Sequence, residues 1–140
     1  MKKEERKSEQ KKTKMITFQG MELKLLRYKN KWVFPDIQYY AEGLGDSIAL
    51  ELLVFDEKEE SFDFYTCVTV NLPDGGRSAG CQFIDTNNND SSILDWLEEN
   101  DFGKRTGKEK KSGYCTYPEF NFYAGKQFME YKEINDKMAE

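Results

Sequence analysis

Alternation of apolar and polar residues runs through most of this chain, and it predicts strands more often than helices. Ile16-Thr17-Phe18 and Glu22-Leu23-Lys24-Leu25 flank Gln19-Gly20, the spacing of a hairpin. Asn30 and Lys31 mark a break. Trp32-Val33-Phe34 is a short apolar run that Pro35 is expected to end, and Gly43 and Gly45 flank a turn. Ile48, Leu50, Leu52 and Val54 fall on one face of a strand. Asp56–Ser61 is a charged turn. Phe62, Phe64, Thr66, Val68, Val70 and Leu72 then line one face of a long second strand. Its other face carries Asp63, Tyr65, Cys67, Thr69 and Asn71, a mixture expected where a face is half-solvated or covered by a loop. Pro73-Asp74-Gly75-Gly76 is turn chemistry that stops it.

Further on, residues 81–85 predict a short strand. Asp90, Ser91 or Ser92 is placed to cap a helix running to about Asn100, with Ile93, Trp96 and Leu97 on one stripe and Gly103 just beyond its end. Residues 103–113, rich in Gly and Lys, read as a loop. Phe120 and Phe122 alternate in a strand over 119–123. Phe128, Tyr131, Ile134 and Met138 recur at helical spacing to the C-terminus. No internal repeat is visible. These elements predict an α+β fold: an antiparallel sheet of four to six strands with one or two short helices.

Charge divides the chain into an arm and a body. Residues 1–14 hold seven Lys/Arg against three Glu, which leaves 14 basic and 23 acidic residues for 15–140. The arm has no apolar residue between its first Met and Met15, so it is expected to be disordered, with 15–140 as one α+β domain. An acidic body does not invite nucleic acid in general, because phosphate contacts need Lys and Arg. No apolar run is long enough to span a bilayer, and the charged start does not read as a secretory signal, so a cytoplasmic location and no membrane partner are expected. Three widely spaced cysteines, Cys67, Cys81 and Cys115, suit reduced thiols. Histidine is absent, which excludes Ser-His-Asp and Cys-His relays and imidazole-ligated zinc. No cofactor motif and no metal cluster are expected.

Several segments carry candidate chemistry. Asp85-Thr86-Asn87-Asn88-Asn89-Asp90 alternates oxygen ligands like a calcium loop. The Gly and Glu that such a loop needs are replaced by Asp90 and Trp96, so Asp85, Asn87 and Asn88 are expected to satisfy turn backbone instead. Gly103–Lys108 is one residue short of a phosphate loop and is followed by Glu109 where Ser or Thr would bind magnesium. Lys104, Arg105, Lys108, Lys110 and Lys111 nevertheless concentrate positive charge. Tyr114, Tyr117, Phe120, Phe122 and Tyr123 follow directly, and rings interleaved with Lys suit the stacking of single-stranded bases. The acidic runs Asp56, Glu57, Glu59, Glu60 and Glu98-Glu99-Asn100-Asp101 suit a basic partner surface. At a helix C-terminus such acids oppose the macrodipole by a few tenths of a kcal/mol. A thiol nucleophile at Cys81 or Cys115 would need a cation or a helix end to lower its pKa.

The blocks Gly80–Asn88, Trp96–Asn100, Gly103-Lys104 through Thr106-Gly107, and Ser112–Pro118 resemble, in order and spacing, the bacterial domain-of-unknown-function family numbered 4313. Ile16–Gly20 is similar too, so the resemblance spans about residues 15–123. It implies a small protein of Gram-positive bacteria or gut anaerobes, often carried on conjugative elements and phages, and it supplies no catalytic residues. The charged arm, Asn88-Asn89-Asp90 and the tail after Tyr123 depart from the family pattern.

The expectation that follows is a non-enzymatic binding protein of a mobile element, acting through its acidic surface on a protein partner. An anti-defence inhibitor, of an anti-CRISPR or anti-restriction kind, is one form of it. The alternative is a single-stranded nucleic-acid binder using the Lys104–Lys111 segment, Tyr114 and Tyr117. A third expectation is an enzyme pairing Asp85 with Cys81 or Cys115.

Overall fold

The computed structural model describes residues 12–40, 47–72 and 76–139. The predicted turn over Gly43–Gly45, residues 73–75 of the turn predicted before Gly76, and most of the predicted arm lie outside them. The chain divides into two compact units. One comprises the residues up to Pro35 together with Leu52–Tyr65, and the other Asp36–Glu51 together with the residues from Thr66 on.

Sequence sets the first strands through their turns. β1 (Thr13–Phe18) and β2 (Met21–Tyr28) join through Gln19 and Gly20, at φ 49° and 79°. β3 (Lys31–Tyr39) follows after Lys29 and Asn30, at φ 46° and 63°. Two positive φ values in succession are the signature of a type I′ turn, whose twist matches that of the flanking strands. Thr13 and Lys14, assigned from sequence to the arm, are the first residues of β1. Pro35 does not end its element, because it lies inside β3, two residues beyond the Leu26–Val33 pair with β2. A strand tolerates proline where no ladder bond needs its N–H.

β4 (Ile48–Asp56) and β5 (Ser61–Cys67) complete an antiparallel sheet in the order β1-β2-β3-β4-β5. Leu23, Leu25, Leu26, Phe34 and Leu52 are buried in the first unit. The ring of Phe62 packs on those of Phe18, Phe34 and Phe55 there. The long strand predicted over 62–72 breaks at Val68. Val68 donates its N–H to Leu50 O (2.8 Å) and accepts from Asp85 N (2.9 Å), and the chain continues as β6 (Thr69–Val70) in a second sheet. Phe64, predicted on the apolar face of that strand, is instead 62% exposed, on the edge strand β5.

The second sheet has the order β6-β7-β9-β8, with β7 (Cys81–Ile84), β8 (Lys104–Ser112) and β9 (Cys115–Asn121). Between β7 and β8 lies helix α1 (Ser92–Glu99), which buries Ile93, Leu94 and Leu97. Trp96 is half-buried and stacks on Phe102. The helix stops at Asp101 (φ 56°). Asp101 N bonds Glu98 O and Phe102 N bonds Leu97 O, a Schellman closure with Asp101, not Gly103, in the left-handed position. Gly103 is required for a different reason. A Cβ there would sit 2.0 Å from Asn121 O.

The predicted loop over 103–113 is strand β8. It hides from a pattern search because it is an edge strand exposed on both faces, so it has no apolar alternation, and lysines along an edge discourage further pairing. After β9, a single 3₁₀ turn (Phe122–Ala124) leads into α2 (Lys126–Met138). α2 buries Phe128, Tyr131 and Asn135, whereas Met138, placed on the stripe by its spacing, is 40% exposed. Phe102 stacks on Tyr131 as well as on Trp96, which ties both helices to one file of rings.

Candidate functional site

The β8–β9 hairpin gathers the basic and aromatic candidates and then sorts them by face. Its two-residue turn puts Gly113 (φ 61°) first, and Tyr114 at the tip is fully exposed. Lys110 lies directly opposite Tyr117, and Lys104 opposite Asn121. Side chains alternate along β9, so Cys115, Tyr117, Glu119 and Asn121 share one face, with Lys110 and Lys104 beside them. Lys111 opposes Thr116 and Arg105 opposes Phe120, which sends both to the other face. Arg105 is committed there. It bonds Asp95 Oδ1 (2.6 Å) and Glu98 Oε1 (3.0 Å) of α1, and its backbone N–H bonds Glu98 Oε2 (3.0 Å). Those bonds hold the Glu98 carboxyl below the usual carboxylate range.

The β8 bulge carries Thr106, Gly107 (φ 88°) and Lys108. Beneath it sits Glu119, 1% exposed, which sequence reasoning did not single out. Its Oε2 accepts from Ser78 N (3.0 Å) and its Oε1 from the Thr106 hydroxyl (2.8 Å). Thr106 Oγ1 in turn accepts from Lys108 N (3.2 Å), and Lys108 Nζ donates to Ser78 Oγ (3.4 Å). Four residues thus close a hydrogen-bonded ring on one buried carboxylate. The sequence held one signal for it: Glu119 is out of phase with Phe120 and Phe122 in a strand, so it leaves the ring-lined core for the opposite face.

The acidic candidates are largely used within the fold. Asp56 Oδ1 accepts from Lys58 N (2.9 Å) and Glu59 N (3.2 Å), and Glu57 pairs with Lys14 of β1. Glu59 and Glu60 are exposed at the same turn. Asp85 Oδ1 accepts from Asn87 N (3.2 Å) and Asn88 N (3.0 Å), while its Oδ2 accepts from Asn88 Nδ2 (2.8 Å). Asn89, 7% exposed, donates to Cys67 O (2.9 Å) and Asp85 O (3.0 Å) and accepts from the Thr66 hydroxyl (2.8 Å). Asp85, Asn87 and Asn88 therefore serve the turn, as expected of a segment rich in side chains that bond nearby backbone. Among the described residues no three His, Cys, Asp or Glu side chains gather as a metal site.

All three cysteines are free thiols. Cys81 pairs with Asn121 at one end of β9 and Cys115 begins the other end. Six residues at about 3.3 Å each separate them by roughly 20 Å. Burial, and then the charge of Glu119, push the Cys81 thiol up to about 11, away from the thiolate that nucleophilic chemistry needs. Tyr117 is raised by its hydrogen bond to Cys115 and, to a smaller extent, by the charge of Asp85. Cys115 and Asp85 both act on that tyrosine, while Cys81 lies at the far end of β9.

Fold and site define a two-sheet α+β protein with an exposed basic-aromatic hairpin. The model of a family described as a domain of unknown function, DUF4313, matches residues 35–139, and the chain belongs to that family. The match starts at Pro35. It leaves out the Ile16–Gly20 similarity and takes in the tail after Tyr123. No curated protein and no solved structure matches the chain. Among the described residues no helix is long and apolar enough to cross a membrane.

Proposed function

We propose that this chain is a non-enzymatic binding protein that takes single-stranded nucleic acid along the β8–β9 hairpin. One observation carries the reading: Lys110 stands directly opposite Tyr117 on a face that Lys104 and Lys108 also serve, with Tyr114 fully exposed at the tip. Rings accept any base by stacking, and flanking amines meet the phosphates. Three cations on one face predict a log–log salt slope of about −2, from about 0.7 per phosphate contact on a single strand. The test is fluorescence anisotropy of a labelled oligothymidylate titrated with protein across a salt series. Lys110→Glu should abolish binding at moderate salt and Tyr117→Ala should weaken it. An unchanged anisotropy at low salt ends the proposal.

A second reading, an acidic surface offered to a basic protein, is favoured by exposed Glu59 and Glu60, and by α1, whose last turn has no basic residue while Glu99 and Asp101 stand exposed. For a protein carried on a mobile element, such a partner would be a host defence nuclease or the conjugation machinery. Capture of a basic protein that Glu59→Lys with Glu60→Lys abolishes, and Lys110→Glu leaves intact, would favour it over the hairpin.

A further inference from the structure

We infer that Glu119 is a positioning residue, whose buried carboxylate fixes Lys108 on the hairpin face as the principal phosphate-contacting amine. The inference rests on the nucleic-acid reading above. Lys104, Lys108 and Lys111 are all exposed on β8. Lys108 differs from the other two because the ring acts on it twice. Its backbone N–H is bonded to Thr106 Oγ1, which is itself bonded to Glu119 Oε1. Its amine is bonded to Ser78 Oγ, whose backbone N–H is held by Glu119 Oε2. The backbone at Gly107 (φ 88°) supplies the bend that brings Thr106 and Lys108 round to the same carboxylate.

Three features separate this from plain packing. The carboxylate is 1% exposed yet meets a backbone N–H and a hydroxyl, the partners that a buried charge demands. Both of its oxygens lead to the same lysine. That lysine uses one of its three amine protons on Ser78 Oγ, which leaves donors for a ligand. An amine held in place loses less rotamer freedom when it meets a phosphate than one that must be ordered by the contact. Arg77 and Lys108 both lie close enough to Cys81 for their charges to act on its thiol.

Charge and positioning predict opposite signs for one substitution, and the test uses this. Glu119→Gln removes a negative charge from beneath the anion site, so electrostatics alone would tighten binding. It also leaves an amide that cannot accept from both Ser78 N and Thr106 Oγ1, so loss of positioning should weaken binding. Salt-dependent anisotropy on the oligothymidylate is measured for the wild type, Glu119→Gln, Lys108→Ala and Thr106→Val. Thr106→Val, at an exposed site, keeps the test open if Glu119→Gln does not fold. Lys108→Ala is expected to lower the salt slope by about 0.7, a loss of about fivefold per decade of salt. Thr106→Val and Glu119→Gln should each weaken binding severalfold and add nothing to Lys108→Ala.

A second readout needs no nucleic acid. Under trace acylation read by mass spectrometry, Lys108 should react several times more slowly than Lys104, and Thr106→Val should bring the two rates together. Equal rates in the wild type, or tighter binding by Glu119→Gln, overturns the positioning role. Binding that ignores Lys108→Ala overturns the phosphate contact alone. An oligonucleotide that does not bind while Lys108 labels slowly overturns the parent reading and, with it, the phosphate contact.

Discussion

Replacing Asn135 by Leu should destabilise this protein, although Leu completes the apolar stripe that the sequence of α2 suggests. Asn135 lies on the buried face with Phe128 and Tyr131, 9% exposed. Its Oδ1 accepts from Ile37 N (3.2 Å) and its Nδ2 donates to Tyr131 O (2.8 Å). Ile37 is 5% exposed, so its N–H has little access to water once that acceptor is gone. A buried donor left unsatisfied costs about 1–3 kcal/mol. Burying the apolar carbons of Leu in place of the amide returns about 1 kcal/mol at most, if they fit without strain. The net loss for Asn135→Leu is therefore about 1–2 kcal/mol, and Asn135→Ala, which adds a small cavity, about 2–3 kcal/mol. With a urea m-value of about 2 kcal/mol/M, midpoints should fall by roughly 0.5–1 M for Leu and 1–1.5 M for Ala. The assay is equilibrium urea unfolding followed by tryptophan fluorescence, with the m-value checked for constancy. A Leu variant as stable as the wild type, or more so, would show that packing and not the Ile37 bond decides position 135.

Gly125→Ala should cost about 3 kcal/mol or more, because its Cβ would lie 2.1 Å from the carbonyl carbon of Phe102 and 2.4 Å from Gly103 N, both backbone atoms that cannot turn aside. Gly107→Ala, with nothing within 4 Å but φ 88°, should cost only about 1 kcal/mol of backbone strain, and near-equal melting temperatures for the two variants would refute the steric account. Burial raises the thiol of Cys81 from 9.0 to about 11, so the stability that its neutral form supports is complete below pH 9 and is lost as pH climbs through about 11. Cys81→Ala should flatten the fall of the urea midpoint between those values, and at neutral pH Cys81 should alkylate far more slowly than Cys67 or Cys115. A decline as steep in the variant as in the wild type would place its cause elsewhere.

The readable parts of this fold were those where a local rule and the tertiary context agreed. Gln19-Gly20 named its turn because only a tight hairpin uses that pair between two alternating runs. α1 was legible because Ile93 and Leu97 recur on one side. β8 was not, since an edge strand in water need not alternate, and its Gly and Lys residues carry the composition of a loop. The break at Val68 was hidden too: both halves of 62–72 alternate, and only the change of partner from Leu50 to Asp85 marks the switch between sheets. Among the site residues, the basic run was found but not its division, because Arg105 and Lys111 part from Lys110 only once the register with β9 is known. Glu119 looked like any other glutamate, and its role depends on Ser78, 41 residues away.

An acidic body suggests an acidic interface only if the acids are free to act outward, and local pairing decides that. Glu57 is held by Lys14, Asp95 and Glu98 by Arg105, and Asp136 by Lys132, while Asp56 and Asp85 are bonded to the backbone of their own turns. Ion pairs at such exposed sites contribute little to stability, of order 0–1 kcal/mol each. Their larger effect is on the field: each pair presents little net charge to a partner. On β8, by contrast, Lys104 and Lys111 stand exposed and Lys110 faces a tyrosine. Screening reduces exposed charges to little beyond about 10 Å at 0.1 M salt, so a ligand at the hairpin senses chiefly the amines beside it. A chain of net charge −5 can therefore present a cationic face, and the sign of that face at the hairpin decides which partner it attracts.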